Sequence, residues 1–567
     1  MAFFILIALL FCEGIGLFLF HFHLPYILAL IPCALFIFHI TREGNFSIDF
    51  SPSVLLLGCS TFLYAYSLFN SINKEASIKP ILVFISIYLL YLYFSSYPIQ
   101  EKQIRRGIYL LSILFIGGFI FFSINKASLS PFIIPQTEYQ LVSPLYYPHN
   151  HLGDFLGLGV VVSFFYFFTT SRLIFLIPLV IFIPFILISF STSAYVSIFL
   201  TCTVLIVFFC IKKNNNVKQI FFTLCFLFIL MMVMFIGSIK ESEQIPFFKM
   251  IQHSITKTFS FHPKDIGSNR ITYFIQAVEG IKKSPLVGIG PDNFNILSQR
   301  LSLSNDDFTT DVHNIILEIG VEAGFPALLF FLAFIVSKIK HGIQNPTIFF
   351  FIFLYLLFNF QTDYTYKIYS LFALFICAAS QIGNKSQEKT TIVGTCIFTG
   401  GALFLQVVII CMLTSLIFQK LGDPAKAILF NPFNRYAYYD LLKNAANSKN
   451  GILIGKYTNK LRDISPANMQ SELEIVKAYQ ALGEPHQFLN SLEKAYNLHL
   501  TLPFSYMEHM YILTAKYRSQ KQAEDFITLY SGRKQKAPYF IQNKNAVEEL
   551  LNLCKKTYKK ACDNIRK

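Results

Sequence analysis

Residues 193–211 read SAYVSIFLTCTVLIVFFCI, nineteen positions without a charged side chain. Coiled as an α-helix, such a run is roughly 28 Å long, close to the ~30 Å hydrocarbon core of a bilayer. Upstream, 172–189 is of the same kind, and the pattern recurs along the first three quarters of the chain. Thirteen such stretches are readable, at about 2–20, 24–40, 51–69, 79–96, 106–124, 151–169, 172–189, 193–211, 219–237, 314–337, 346–360, 366–382 and 391–418. Composition agrees. The 567 residues are 54% hydrophobic and 14% charged, too little charge to cover a soluble domain of this size. The period-two alternation of a membrane barrel is missing, so the expected fold is all-α, a polytopic membrane helix bundle of about 13 spans.

The first stretch reads as a spanning helix. It has no basic leader, and His21-Phe22-His23-Leu24-Pro25 offers no small-residue cleavage site. Placing the N-terminus in the cytoplasm puts twelve Lys/Arg in the inward loops, among them Arg105, Arg106, Lys212 and Lys213, against Lys74, Lys79, Lys126 and Lys367 outside. That bias sets the long loop 238–312 on the extracytoplasmic side. The odd span count puts residues 421–567 there as well. The expected organisation is therefore helices 1–9 within 1–237, a large outer loop 238–312, helices 10–13 within 313–420, and a soluble tail 421–567. The tail carries 22 Lys/Arg and 13 Asp/Glu, a net +9. Ala478-Tyr479, Leu482-Gly483 and Leu492-Ala495-Tyr496 fall at helical spacing, and a similar pattern returns at Ala515-Lys516-Tyr517. The 37-residue offset is near the tetratricopeptide period, with an ordinary helical bundle as the alternative. Either is a docking or packing module.

Of the eleven cysteines, nine lie in apolar stretches, where Cys behaves as a small hydrophobe. No zinc-type spacing or Asp-x-Asp exists, and neither a metal, a cofactor nor nucleic acid is expected. Gly288-Ile289-Gly290 follows no strand and lies in the outer loop, so it reads as a turn and not as a nucleotide site. Asp363, with Gln361 in a later outward loop, is a candidate to line a cavity. Glu13 and Gln406 suit interhelical hydrogen bonds.

The stretch richest in chemistry is DVHNIILEIGVEAG, Asp311 to Gly324. Asn314, Glu318 and Glu322 recur at i, i+4 and i+8, placing two carboxylates on one face at a membrane surface, where ionisable groups are costly. His313 stands at the helix start, which favours anions. On these residues alone, the plainer account makes Asp311 a helix cap and His313 an interfacial polar group.

His313-Asn314, nine residues, then Gly324 resembles the signature of the O-antigen ligase and polymerase superfamily, which includes the bacterial protein O-oligosaccharyltransferases. Pro285-Leu286-Val287-Gly288-Ile289-Gly290 with Phe294 is similar to that family's outer-loop segment. Arg270 falls where the family has an Arg, and Pro148-His149-Asn150-His151-Leu152 resembles its Pro-Asn-His-Leu. Together these cover about 145–335 in order. Two positions depart from the pattern: Ala327 stands for a second Gly, and Ser191-Thr192-Ser193-Ala194 lacks the family's Ser-Arg.

The resemblance implies a membrane glycosyltransferase of the inner membrane. It would move a glycan from a polyprenyl-pyrophosphate carrier to a lipid A core, a protein or another glycan, without nucleotide or metal. His313 and Arg270 would be catalytic. Asn314, Glu318, Asn150, His151, Lys257 and Lys264 would bind substrate, the two lysines standing in for the missing helix Arg. Membrane lipids, and a protein partner for 421–567, complete the expected contacts. A polymerase of the same superfamily, a polysaccharide flippase or transporter, and a plain membrane anchor for the tail are the competing readings.

Overall fold

Lipid offers a backbone no hydrogen-bonding partners, so apolar stretches must pair their amides internally. The computed structural model describes residues 30–35, 51–124, 149–189, 191–211, 268–301, 309–383, 392–466 and 468–498, and every regular element among them is helical. The membrane region contains α1 (Pro52–Tyr66), α2 (Lys74–Ser96), α3 (Glu101–Ile124), α4 (His149–Thr170), α5 (Ile177–Ile188) and α6 (Thr192–Ile211). The outer-loop helices α7 (Ser268–Lys283) and α8 (Phe294–Leu301) follow, then α9 (Ile315–Gln344), α10 (Ile348–Asn359), α11 (Tyr369–Ser380) and α12 (Ile392–Lys420). The tail forms α13 (Pro424–Phe430), α14 (Arg435–Asn447), α15 (Gly451–Ile464), α16 (Met469–Leu482) and α17 (Pro485–Leu498).

Among the described residues six helices are long and apolar enough to cross a membrane. The stretches expected at 2–20 and 219–237, most of 24–40, and residues 238–267 of the outer loop lie outside the described residues, as does 499–567 with Ala515. Three of the expected spans come out short, 172–189 among them, its apolar helical run being Leu173–Ile186. The stretches read as 346–360 and 366–382 are helices of twelve residues each, α10 and α11, about 18 Å long and too short to cross alone. They are interior elements, with nearly every side chain buried. The polar turn between them, 360–368, is drawn toward the site described below.

The membrane helices pack around α4, whose spanning stretch is 94% buried and touches α3, α5, α6 and α10. Small residues let it approach its neighbours: a Cβ on Gly157 would meet the Tyr355 ring, and one on Gly159 the Phe182 ring. By contrast α6 leaves Phe199, Val207 and Ile211 exposed, as suits a lipid-facing helix. On the other side α1 lies along α9, with Ser60 donating to the Ala327 carbonyl at 3.1 Å.

The break in α9 organises the end of the bundle where His313 lies. Pro326 has no N–H, so the Glu322 carbonyl lacks its helical donor, and Gly324 leaves the helix with φ 85° and ψ 171°. The loop that precedes α9 supplies the missing bonds. Gly290 N donates to Glu322 O at 2.9 Å and Ile289 N to Val321 O at 3.0 Å, while Phe325 N donates to Pro285 O at 2.7 Å. Gly288 and Gly290 have φ 71° and 91°, the left-handed turn expected of them. The ends of α1 and α2 grip the same loop: Asn70 Nδ2 donates to Gly288 O at 2.7 Å, and Asn293 Oδ1 accepts from Asn73 N at 3.0 Å.

The tail stands at this same end. Arg435 in α14 pairs with Glu75 in the first turn of α2 at 3.0 Å. Asn434 Nδ2 meets Ser415 Oγ and Gln419 Oε1 near the end of α12, at 3.0 and 3.1 Å. Within the tail Asn434 and Asn468 cap α14 and α16 through their side chains, and 468 − 434 is 34 residues. Helices α15 and α17 begin at Gly451 and Pro485, again 34 apart, and α14 touches both α15 and α16.

Candidate functional site

His313 sits between the outer loop and α9 in a left-handed backbone conformation, φ 59°. That geometry is uncommon for a residue with a Cβ and is held from both sides. Before it, Val312 is buried and its N–H donates to Glu318 Oε2 at 3.1 Å. After it, Asn314 caps α9 by accepting from Leu317 N at 3.0 Å, and Ile315 N donates to Phe360 O at 2.9 Å. The cap is thus Asn314, not Asp311. Asn314 also donates to the Gln361 carbonyl at 3.3 Å, so its side chain is taken up in tying the turn 360–368 to the helix start.

The imidazole lies between two tyrosines. Tyr273 of α7 stacks on it with ring centroids 6.0 Å apart, and Tyr364 meets it edge-on at 5.1 Å. Its Nδ1 is 3.6 Å from Asp363 Oδ1, beyond a hydrogen bond but within ion-pair reach once the ring is protonated. Nδ1 is buried without a hydrogen-bond partner among the described residues. Burial, and then the Asp363 carboxylate, push the Tyr364 hydroxyl up to about 12, so this wall stays neutral and donor-capable. Arg270 is half-buried on α7. It precedes Tyr273 by three residues, and i, i+3 positions share a helix face, so it stands one turn from the ring that covers His313. No acidic partner meets it among the described residues.

Lys367 ties these parts together. Its Nζ pairs with Asp311, with Glu318 Oε1 at 2.7 Å and with Asp292 Oδ1 at 3.4 Å. Glu318 Oε2 also takes a bond from the Tyr366 hydroxyl. Glu318 is therefore enclosed by protein groups and supports the loop that carries His313. Although burial works the other way, Lys367 and the Thr310 hydroxyl hold the Asp311 carboxyl below the usual range. Glu322 behaves similarly, accepting from Tyr64 OH at 2.8 Å and Asp292 N at 2.7 Å.

Where the family's Ser-Arg was sought, the start of α6 faces a carboxylate of the chain itself. Asp154 Oδ1 accepts from Ser191 and Ser193 hydroxyls, each at 3.0 Å, and from Asn359 Nδ2 at 2.8 Å. Those donors are engaged by Asp154. Asn150 and His151 fall in the first turn of α4; their side chains, and the whole of Lys257 and Lys264, lie outside the described residues. Asp363 was a candidate from sequence, but Asp154, Tyr273, Tyr364 and Lys367 were not. The spacing of Tyr273 from Arg270 is the one local signal that pointed to any of them.

A family model described as O-Antigen ligase matches residues 177–332. The match supports a membrane enzyme of the O-antigen ligase type, a transferase at the coarse level. It takes in Arg270, the Pro285–Gly290 loop, His313, Asn314 and the helix break at Gly324. Asp154, Asp363, Lys367 and the tail lie beyond it. No curated protein matches the chain.

Proposed function

We propose that this O-antigen ligase-type protein transfers a glycan from a polyprenyl-pyrophosphate carrier to an acceptor hydroxyl at the outer end of the bundle, with His313 as general base. The observation that carries the reading is the setting of His313, with Asp363 at Nδ1, tyrosines on two sides and Arg270 one turn along α7. An acidic neighbour at Nδ1 favours the tautomer that leaves Nε2 free to accept a proton. The acceptor O–H gives its proton to Nε2 as its oxygen bonds to the anomeric carbon. The bond from that carbon to the pyrophosphate oxygen breaks, and the leaving group keeps the electron pair. Asp363 stabilises the imidazolium, and Arg270 matches the phosphate oxygens with its planar fork. Lys257 and Lys264 are second-tier phosphate contacts, and the face is extracytoplasmic by the charge bias of the loops. The tail, with its 34-residue recurrence, fits a tetratricopeptide-like module beside the site. A lipid core, a protein or a second glycan serves the same chemistry; the last makes the protein a polymerase.

The test is transfer by purified protein from a polyprenyl-linked glycan to separately supplied acceptors, without nucleotide. A general base contributes typically 10²- to 10⁴-fold. His313→Ala should fall by at least about 10²-fold while inserting normally. A variant within about threefold of wild type would reduce His313 to a structural residue, and no transfer to any acceptor would return the flippase reading.

A further inference from the structure

Asp154 is fully buried in α4, distant in sequence from His313 and Arg270, yet two separate routes run from it to the carboxylate beside His313. The first passes through hydroxyls. Ser193 Oγ lies 3.0 Å from Asp154 Oδ1 and 3.3 Å from Asp363 Oδ2. A serine has one proton to donate, and it stands between two buried carboxylates. Asp154 also has donors that Ser193 need not supply: Ser191 Oγ at 3.0 Å and Asn359 Nδ2 at 2.8 Å. That proton bonds one carboxylate at a time, so the hold of Asp154 on it, set by the Ser191 and Asn359 bonds, governs how firmly Ser193 anchors Asp363. The second route is the backbone. Asn359, oriented by its bond to Asp154, accepts from Asp363 N at 3.0 Å through its carbonyl and from the Thr365 hydroxyl through Oδ1. Its side chain and main chain together therefore shape the turn that carries Asp363.

Resting on the transfer reading above, we infer that Asp154, acting through Ser193 and Asn359, is a positioning residue that sets the Asp363 carboxylate against Nδ1 of His313. The arrangement explains a buried carboxylate at the start of α6. An acid there would be costly unless its donors were preorganised, and those donors are the groups that connect it to the site. Asp154 touches no substrate in this account; it governs where Asp363 stands. The groups that face the imidazole are Asp363 and Tyr364 from the turn, Tyr273 from α7 and Asp311 from its own segment, with Lys367 behind Asp311.

The test uses the full chain in lipid nanodiscs as wild type, Ser193→Ala and Asp154→Asn. Two readouts are taken: transfer kinetics, and the imidazole ¹⁵N spectrum of His313 at pH 8, identified by its loss in His313→Gln. In the wild type the ring should hold its proton on Nδ1. In both variants that tautomer should give way to a mixture, and kcat should fall about 10- to 100-fold, the scale of a small misplacement, with KM for the donor within about twofold. Ser193→Ala removes one buried hydroxyl and guards against a folding defect in Asp154→Asn. Unchanged tautomer and kcat in Asp154→Asn, or in Ser193→Ala, would overturn the inference as stated, since it requires both residues to position Asp363. A wild type that holds the Nδ1 proton through Ser193 but transfers no glycan would leave the positioning intact and sink the transfer reading.

Discussion

The amide of Gly290 donates to the carbonyl of Glu322 at 2.9 Å, the one carbonyl in α9 that Pro326 leaves without a helical donor. A glycine turn from the preceding loop thus completes the long apolar helix α9 at its break. Each such bond is worth only about 1 kcal/mol net, but a buried carbonyl left unmet costs about 1–3 kcal/mol. The loop and the break are one unit, and His313 rides on it.

Substitution at this seam should be severe. A Cβ on Gly324 would lie 2.5 Å from the Leu286 carbonyl, and one on Gly288 would lie 2.3 Å from that of Glu322. Both contacts are backbone and cannot swing away, and both positions have positive φ. Gly324→Ala and Gly288→Ala should each cost more than about 2 kcal/mol. Gly400→Ala, where nothing lies nearby, should be neutral. Thermal unfolding in detergent ranks the three, and equal melting temperatures would contradict the packing.

Arg270 should be intolerant of Lys. An ammonium cannot grip two phosphate oxygens in a fixed fork, so Arg270→Lys should fail nearly as badly as Arg270→Ala. The defect should appear in donor use, with acceptor dependence unchanged. Because the α6 start is occupied by Asp154, no described cation there compensates. Unaltered donor dependence in Arg270→Ala would place pyrophosphate binding elsewhere.

Lys367 should matter more than its loop position suggests. Lys367→Met leaves Asp311 and the buried Glu318 carboxylate without their shared cation, and stranding a buried acceptor in this way costs about 1–3 kcal/mol. Melting temperature and transfer should fall together, whereas Lys426→Met, at an exposed pair with Asp423, should change neither.

The same cluster sets a pH dependence. The Asp311 carboxyl is held below its usual value in the folded protein. Its contribution to stability is therefore complete above the unfolded value, about 3.9, and is lost as pH falls through the lower folded value. The stability gap between wild type and Asp311→Asn should be constant above about pH 5 and close on acidification. A gap that widens on acidification would mean the ion pair is absent.

The sequence by itself determined what depends on neighbours along the chain. Apolar length established the membrane helices, Gly288 and Gly290 read as a turn, and the ordered His-Asn, Pro-Leu-x-Gly and Arg segments led to His313 and Arg270. Helical periodicity also put Glu318 and Glu322 on one face, but it could not say what that face meets. Only the tertiary structure decided that they support the loop, that Asn314 and not Asp311 caps α9, and that α10 and α11 are interior pieces flanking a polar turn. It alone brought Asp154, Ser193 and Asp363 into one chain of contacts, residues separated by 39 and 170 positions. The physical reason is that a carboxylate's role is set by the donors and charges around it. Those arrive here from helices far apart in sequence, where no local period records them.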